Sequence, residues 1–197
     1  VTSKWSLFFL MNVGKDFFTV RRCVFTMEKD IAASYDASAP HYDARYRSIQ
    51  RDKYRFALSL TGPICGRVLD VGCGTGLLAE YLGSDIDGID ISPGMLMRAA
   101  RRMNAREADA TDIPFPDDHF DWVFSFTVLQ NIPDYHAALR EIGRVLHPRG
   151  RCLLTYLNKP MFDEIGESIE RIFRVEQRHV HGEDVIFLCS PNKGPSG

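Results

Sequence analysis

The chain has no apolar run long enough to cross a bilayer, no clustered cysteines, no internal repeat and no surplus of one charge. Its longest apolar stretch, Trp5 to Val13, falls far short of the roughly 20 residues a spanning helix needs. Lys4 ahead of it mimics a secretory signal. No small-residue cleavage site follows, however, and Lys15-Asp16 interrupts the stretch. Residues 1–26 are therefore expected to be an extension with a pendant helix, outside a core that opens at Met27. Its apolar side chains need burial, and a homodimer would supply it.

Cys23, Cys65, Cys73, Cys152 and Cys189 are odd in number, far apart and without a Cys-x-x-Cys pair. That argues against a disulfide scaffold and against a zinc site, so reduced thiols in a cytoplasmic, metal-free chain are expected. His179 and His181 alternate on a strand and would share a face, but no third ligand lies near them. Lys and Arg number 24 against 26 Asp and Glu, a net charge of −2. No global field favours non-specific binding to nucleic acid. Arg47, Arg51 and Arg55 would share one helix face, and Arg98, Arg101, Arg102 and Arg106 cluster; both groups read as solvated surface.

What is present is an alternation of helical patterns with short apolar runs, the mark of an α/β domain with a parallel sheet and crossover helices. Glu28 to Tyr35 and Ser48 to Leu60 read as helices. Strands are expected at Val68–Val71, Ile86–Ile91, Ala105–Ala108, Phe120–Phe126 and Cys152–Leu157. Between them Leu77–Leu82, Pro93–Met103 and a segment capped by Asp134 read as helices. Pro160–Phe173 is a last helix, followed by a hairpin of Val175–Val180 and Val185–Leu188. One domain, 27–190, is expected, with a flexible tail over 191–197 that holds two prolines and two glycines.

The strongest signal is VLDVGCGTG, residues 68–76. A buried strand runs into Gly72, Gly74 and Gly76, and a helix starts at once. Glycine suits a chain that turns sharply while a ligand touches its backbone. The spacing is G-x-G-x-G, whereas a dinucleotide fingerprint is G-x-G-x-x-G with a pyrophosphate on the helix N-terminus. Asp70 just before the loop would repel a pyrophosphate and attract an ammonium group. Asp90 stands 18 residues after Gly72, at the tip of the second strand, placed to accept two ribose hydroxyls. Asp109 follows the third strand, beside Ala110, and could accept an adenine amino group.

Residues 68–155 resemble the class I S-adenosylmethionine-dependent methyltransferases, especially the group that includes the ubiquinone and menaquinone biosynthesis enzymes. VLDVGCGTG resembles that family's first motif, GIDISPGML its second, DIPFPDDHFDWVFS its third and fourth, and HAALREIGRVLHPRG its helix and turn before strand five. The resemblance implies a Rossmann-like, mostly parallel sheet of seven strands in the order 3-2-1-4-5-7-6, with strand seven antiparallel and helices flanking. It implies S-adenosyl-L-methionine as cofactor and S-adenosyl-L-homocysteine as product. Asp70 and Gly72 would serve the methionine end, with Gly74 and Gly76 completing the loop. Asp90 would take the ribose, Asp109 and Ala110 the adenine edge, and Ile91 or Met95 the adenine face; Phe126, ending strand four, joins this set. The segment SYDASAPHYDARY, residues 34–46, resembles the family's lid, and Tyr42, Tyr46 or Tyr35 would meet the sulfonium through a ring face.

Two departures stand out. Gln130-Asn131 replaces a frequent His-His pair, and Pro148-Arg149-Gly150 replaces Pro-Gly-Gly. No Asn/Asp-Pro-Pro-Tyr/Phe pattern follows strand four, which argues against methylation of adenine or glutamine amino groups. A dedicated base is optional for displacement on an activated methyl, so no catalytic residue is assigned. Tyr42, Gln130, Asn131 and Tyr156 are the candidates for the pocket wall. The expected activity is methyl transfer to a small or medium-sized acceptor. An RNA (tRNA) acceptor and a non-catalytic S-adenosylmethionine-binding protein are the alternatives.

Overall fold

The computed structural model describes the backbone of residues 17–192 and, Pro40 apart, the side chains from residue 33 onward. Trp5 to Val13 and most of the expected tail lie outside the described residues. Helix α1 (Phe17–Ser59) passes without a break through Met27. The expectation of two short helices is thereby corrected to one helix of 43 residues. Asp36 to Arg47, between the two expected helices, holds Ser, Asp and Pro, which are poor helix formers. Its neighbours decide otherwise. Asp36 accepts hydrogen bonds from the Gly94 N–H (2.8 Å) and the Ser92 hydroxyl (2.5 Å). Asp43 receives Arg102 (2.7 Å) and the Thr75 hydroxyl (2.5 Å), and Ala39, Tyr54 and Ala57 are buried.

From there strands and helices alternate as β1 (Val68–Val71), α2 (Leu77–Leu82), β2 (Asp87–Asp90), α3 (Pro93–Ala99), β3 (Asn104–Glu107) and β4 (Phe120–Phe126). They continue as α4 (Tyr135–Val145), β5 (Leu146–Leu157), α5 (Asp163–Ile172), β6 (Phe173–His181) and β7 (Asp184–Pro191). The seven strands form one sheet in the order β3-β2-β1-β4-β5-β7-β6, with β7 antiparallel to both its neighbours, as the resemblance implied. β5 begins six residues before the expected Cys152, because Leu146 pairs with Phe120 ahead of a register shift at Trp122. Edge strand β3 is four residues long and mostly exposed, which limits edge-to-edge pairing.

Side chains of the central strands alternate between two apolar layers. Val123 and Leu154 pack with Leu139 and Ile142 of α4 and Ile169 of α5. Trp122, Phe124, Phe126 and Leu153 pack with Leu77 and Leu78 of α2 and with Tyr54 and Ala57 of α1. Burying such residues at about 25 cal/mol per Å² is the main stabilising term.

One buried ion pair fastens α1 to the far side of the sheet. Lys53 Nζ lies 2.9 Å from Asp184 Oδ2 and also donates to Thr127 Oγ1. Thr127 follows β4 at φ 61°, a left-handed conformation costly for a β-branched residue. Its N–H donates to the carbonyl and the hydroxyl of Thr155, at 3.1 and 2.9 Å. Lys53→Met strands the Asp184 carboxylate and is expected to lower the unfolding free energy by about 3–5 kcal/mol in urea titrations. The double substitution Lys53→Met/Asp184→Leu should regain most of that loss.

Candidate functional site

The strand order reverses between β1 and β4, and the crevice outside their carboxyl ends is where open α/β sheets hold ligands. A cavity of about 1130 Å³ fills that crevice and runs beneath α1. Gly72 ends β1 at φ 74°, and its N–H and that of Cys73 both donate to Ile89 O, at 2.8 and 2.9 Å. A Cβ on Gly72 would stand 2.3 Å from Val128, so only glycine lets the turn pass so close to β4. Gly74 differs: its φ is 53°, and the place of a Cβ meets nothing within 4 Å. Its bare backbone faces the cavity. Gly76 does not line the cavity. It starts α2 at φ 79°, with α3 packed so closely that a Cβ would lie 3.3 Å from Ala99 Cα.

Asp90 lies on the cavity wall at the tip of β2. One carboxylate oxygen accepts the Gly74 N–H (2.8 Å) and the other the Ser92 N–H (2.9 Å). Burial nevertheless raises its pKa above the ordinary value, outweighing those donors. Asp70 is 4% exposed and sits behind the glycine turn rather than on the cavity wall. Burial, with the charge of Asp90 added, pushes its pKa up to about 8. Asp109 lines the cavity, and one of its oxygens holds the Thr111 N–H (2.7 Å) and hydroxyl (2.8 Å) in a tight turn. Ile91, Met95 and Ala110 complete that end, and Phe126 lines the cavity from β4.

The roof is α1. Tyr35 accepts a hydrogen bond from Asn131 Nδ2 at 2.9 Å. Tyr42 packs on Tyr46 with ring centroids 4.8 Å apart, and burial pushes its pKa up to about 12. Gln130 donates to Thr127 O at 2.6 Å, and Tyr42, Gln130 and Asn131 all line the cavity. Tyr156 does not. Residues alternate along β5, which turns its ring to the opposite layer, against Phe187 and under Gly166 of α5. That candidate for the pocket wall is corrected to a core residue.

Two polar groups at the β6–β7 end of the cavity had no motif to announce them. One is Lys53, Thr127 and Asp184; the other is His181, whose ring stacks on Phe56 (4.2 Å, 5°) and bonds Asp52 at 2.9 Å. Each joins residues more than 120 positions apart in the chain. His181 was visible only as one of two alternating histidines. Among the described residues no cluster of His, Cys, Asp and Glu could hold a metal ion, and no helix is long and apolar enough to cross a membrane. The arginine faces are partly committed, Arg47 to Asp43 and Glu80, Arg55 to Asp52, and Arg102 to Asp43 and Glu80.

Residues 69–154 match the family described as Methyltransferase domain. The chain is 32% identical to a malonyl-[acyl-carrier protein] O-methyltransferase of Halorhodospira halophila, over 89% of this chain and 64% of that protein. It is 38% identical to a demethylmenaquinone methyltransferase of Mycolicibacterium paratuberculosis, over 67% of this chain and 61% of that protein. The chain thus spans a little under two thirds of these curated relatives. Its fold matches the DhpI–SAH complex with a TM-score of 0.69 at 20% identity, covering 86% of this chain and 98% of that one.

The buried, unpaired carboxyl of Asp70 has a consequence for stability. Its folded pKa near 8 lies above that of an unfolded aspartate, so the stability it permits is complete below about pH 4. That stability is lost progressively as pH rises towards 8. Asp70→Asn is expected to stabilise the ligand-free protein increasingly over that window. The gain should level off above it, and thermal melts at half-unit pH steps read it.

Proposed function

We propose that this chain, a member of the S-adenosylmethionine-dependent methyltransferases, binds S-adenosyl-L-methionine at the Asp90 end of its cavity and transfers the methyl group to a small or medium-sized acceptor held beneath α1. The observation that carries this reading is the convergence on one cavity of an open, Cβ-free backbone at Gly74 and carboxylates at two successive strand ends, Asp90 and Asp109. A third carboxylate, Asp70, is buried without a cation behind them.

The residues fit that cofactor part by part. Asp90 accepts the ribose hydroxyls, and Asp109 the adenine amino group. Ile91, Met95 and Ala110 flank the adenine with apolar surface. Gly72 and Gly74 admit the methionine end, and Gly76 serves by seating α2 against α3. Asp70 supplies the negative potential that an ammonium group neutralises. When bound, the cofactor supplies a methyl group already activated by a sulfonium and leaves as S-adenosyl-L-homocysteine. The protein's own share is alignment and exclusion of water, worth up to roughly 7–11 kcal/mol in well-oriented systems. Tyr42 offers a ring face to a cation, and Phe126 closes the floor. Tyr35, Gln130 and Asn131 bound the space left for the acceptor.

The curated relatives above are named for malonyl-[acyl-carrier protein] and for demethylmenaquinone, neither of them a nucleic acid, which favours a non-RNA acceptor. The ion pairs already made by Arg47 and Arg55 point the same way.

Calorimetric titration with S-adenosyl-L-homocysteine tests the binding. Asp90→Ala should weaken it at least 10-fold, the scale of one charged hydrogen bond or more. Because Asp70 and Asp90 hold protons above the usual carboxylate range, affinity should rise from pH 6 to 8. Protons should be released on binding at pH 7, fewer in Asp70→Asn. Transfer is tested with radiolabelled S-adenosyl-L-methionine and cell extract fractionated into RNA, protein, lipid and small molecules. Label confined to the small-molecule or lipid fraction and lost in Asp90→Ala is the expected result. Binding without label in any fraction would make the chain a cofactor-binding protein.

A further inference from the structure

At the hairpin end of the cavity, α1 and the end of β6 present a histidine held by a carboxylate. His181 Nε2 lies 2.9 Å from Asp52 Oδ2. A carboxylate accepts, so in the neutral ring Nε2 carries the hydrogen and Nδ1 keeps a free lone pair. Phe56, one turn beyond Asp52, lies parallel to the imidazole with centroids 4.2 Å apart and sets the plane of the ring. Bonding to His181, with the charge of Arg55 behind it, holds the Asp52 carboxyl below the usual range.

The buried pair beside this dyad fixes its geometry. Lys53 follows Asp52 in α1, and Asp184 is the cross-strand partner of His181. The 2.9 Å contact of Lys53 with Asp184 therefore locks the two backbones that carry Asp52 and His181. Lys53 and Asp184 are spent on each other and on Thr127. The Nδ1 lone pair of His181 remains. Around it stand Asp52 and Lys53 from α1, Glu183 and Asp184 from the turn and β7, and His179 on its own strand, which meets Phe56 edge-on at 5.8 Å.

We propose that His181, oriented by Asp52 and Phe56, is the general base of this enzyme and that the acceptor is a weakly acidic hydroxyl, a phenol or an enol. This rests on the reading of the cavity as a methyl-transfer site. A carboxylic acid is already ionised near neutral pH and would leave the dyad idle; a phenol or enol is not. The acceptor's O–H proton passes to Nδ1, and the oxygen lone pair forms the new O–C bond. The methyl's bond to sulfur breaks with its electron pair left on sulfur, and the imidazolium then releases the proton to solvent at the open rim.

The test uses protein saturated with S-adenosyl-L-homocysteine and 4-nitrophenol as probe, with benzoate as the carboxylate arm. In the wild type the bound phenol should show the yellow phenolate at a pH where free probe is neutral. His181→Gln keeps a hydrogen bond to Asp52 but takes no proton, and it should bind the probe in its colourless form. Asp52→Asn should give an intermediate signal, and benzoate should bind equally well to all three. Thermal melts confirm that each variant is folded. A phenolate signal unchanged in His181→Gln, preference for benzoate, or failure of 4-nitrophenol to bind would overturn the proposal. Failure of S-adenosyl-L-homocysteine to bind would instead overturn the reading on which it rests.

Discussion

The cavity depends on how β1 stops. Gly72 turns the chain at positive φ so close to Val128 that no side chain fits, and two successive N–H groups are tied to Ile89 of the neighbouring strand. With the turn held that tightly, α2 leaves to one side while β4 continues the sheet on the other. The ends of β1, β2 and β4 then stand around one crevice. A side chain at Gly72 would push Val128, and with it the segment carrying Thr127, Gln130 and Asn131. Both ends of the cavity share that single close contact.

Charge is then distributed by burial. Asp70 is enclosed without a partner and holds its proton near neutrality, whereas Asp43 and Glu141 have arginines beside them and lie below the ordinary range. The fold tolerates costly carboxyls at Asp70 and Asp90 around its glycine turn while it pairs Asp43 and Glu141 with arginines. The Asp70 carboxyl costs the fold increasingly as pH rises from about 4 to 8, and carries its full cost above that. Thr127 is a second such place, a β-branched residue at positive φ held by Thr155, Lys53 and Gln130.

α1 joins these parts. Asp36 engages the start of α3, Asp43 the glycine loop through Thr75, Asn131 reaches Tyr35, and Lys53 reaches β7. One helix thus roofs the cavity from the Asp90 end to the hairpin.

By itself the sequence determined the alternation of strands and helices, the glycine turn, and the carboxylates at 70, 90 and 109, because each rests on neighbours within about ten residues or on one strand end. Periodicity made the sheet legible, and the motif resemblance supplied its strand order. Tertiary structure decided the rest. It merged the two expected helices into α1, sent Tyr156 into the core through the two-residue alternation of β5, and moved Asp70 and Gly76 behind the cavity wall. It also brought Lys53 to Asp184 and Asp52 to His181. Those pairs have no local signature, since a charged residue on a helix looks alike in sequence whether it faces water or a strand more than 120 residues away. Only the packing of α1 across the sheet selects the partner, because an ion pair forms where desolvated charges are brought together, whatever their separation along the chain.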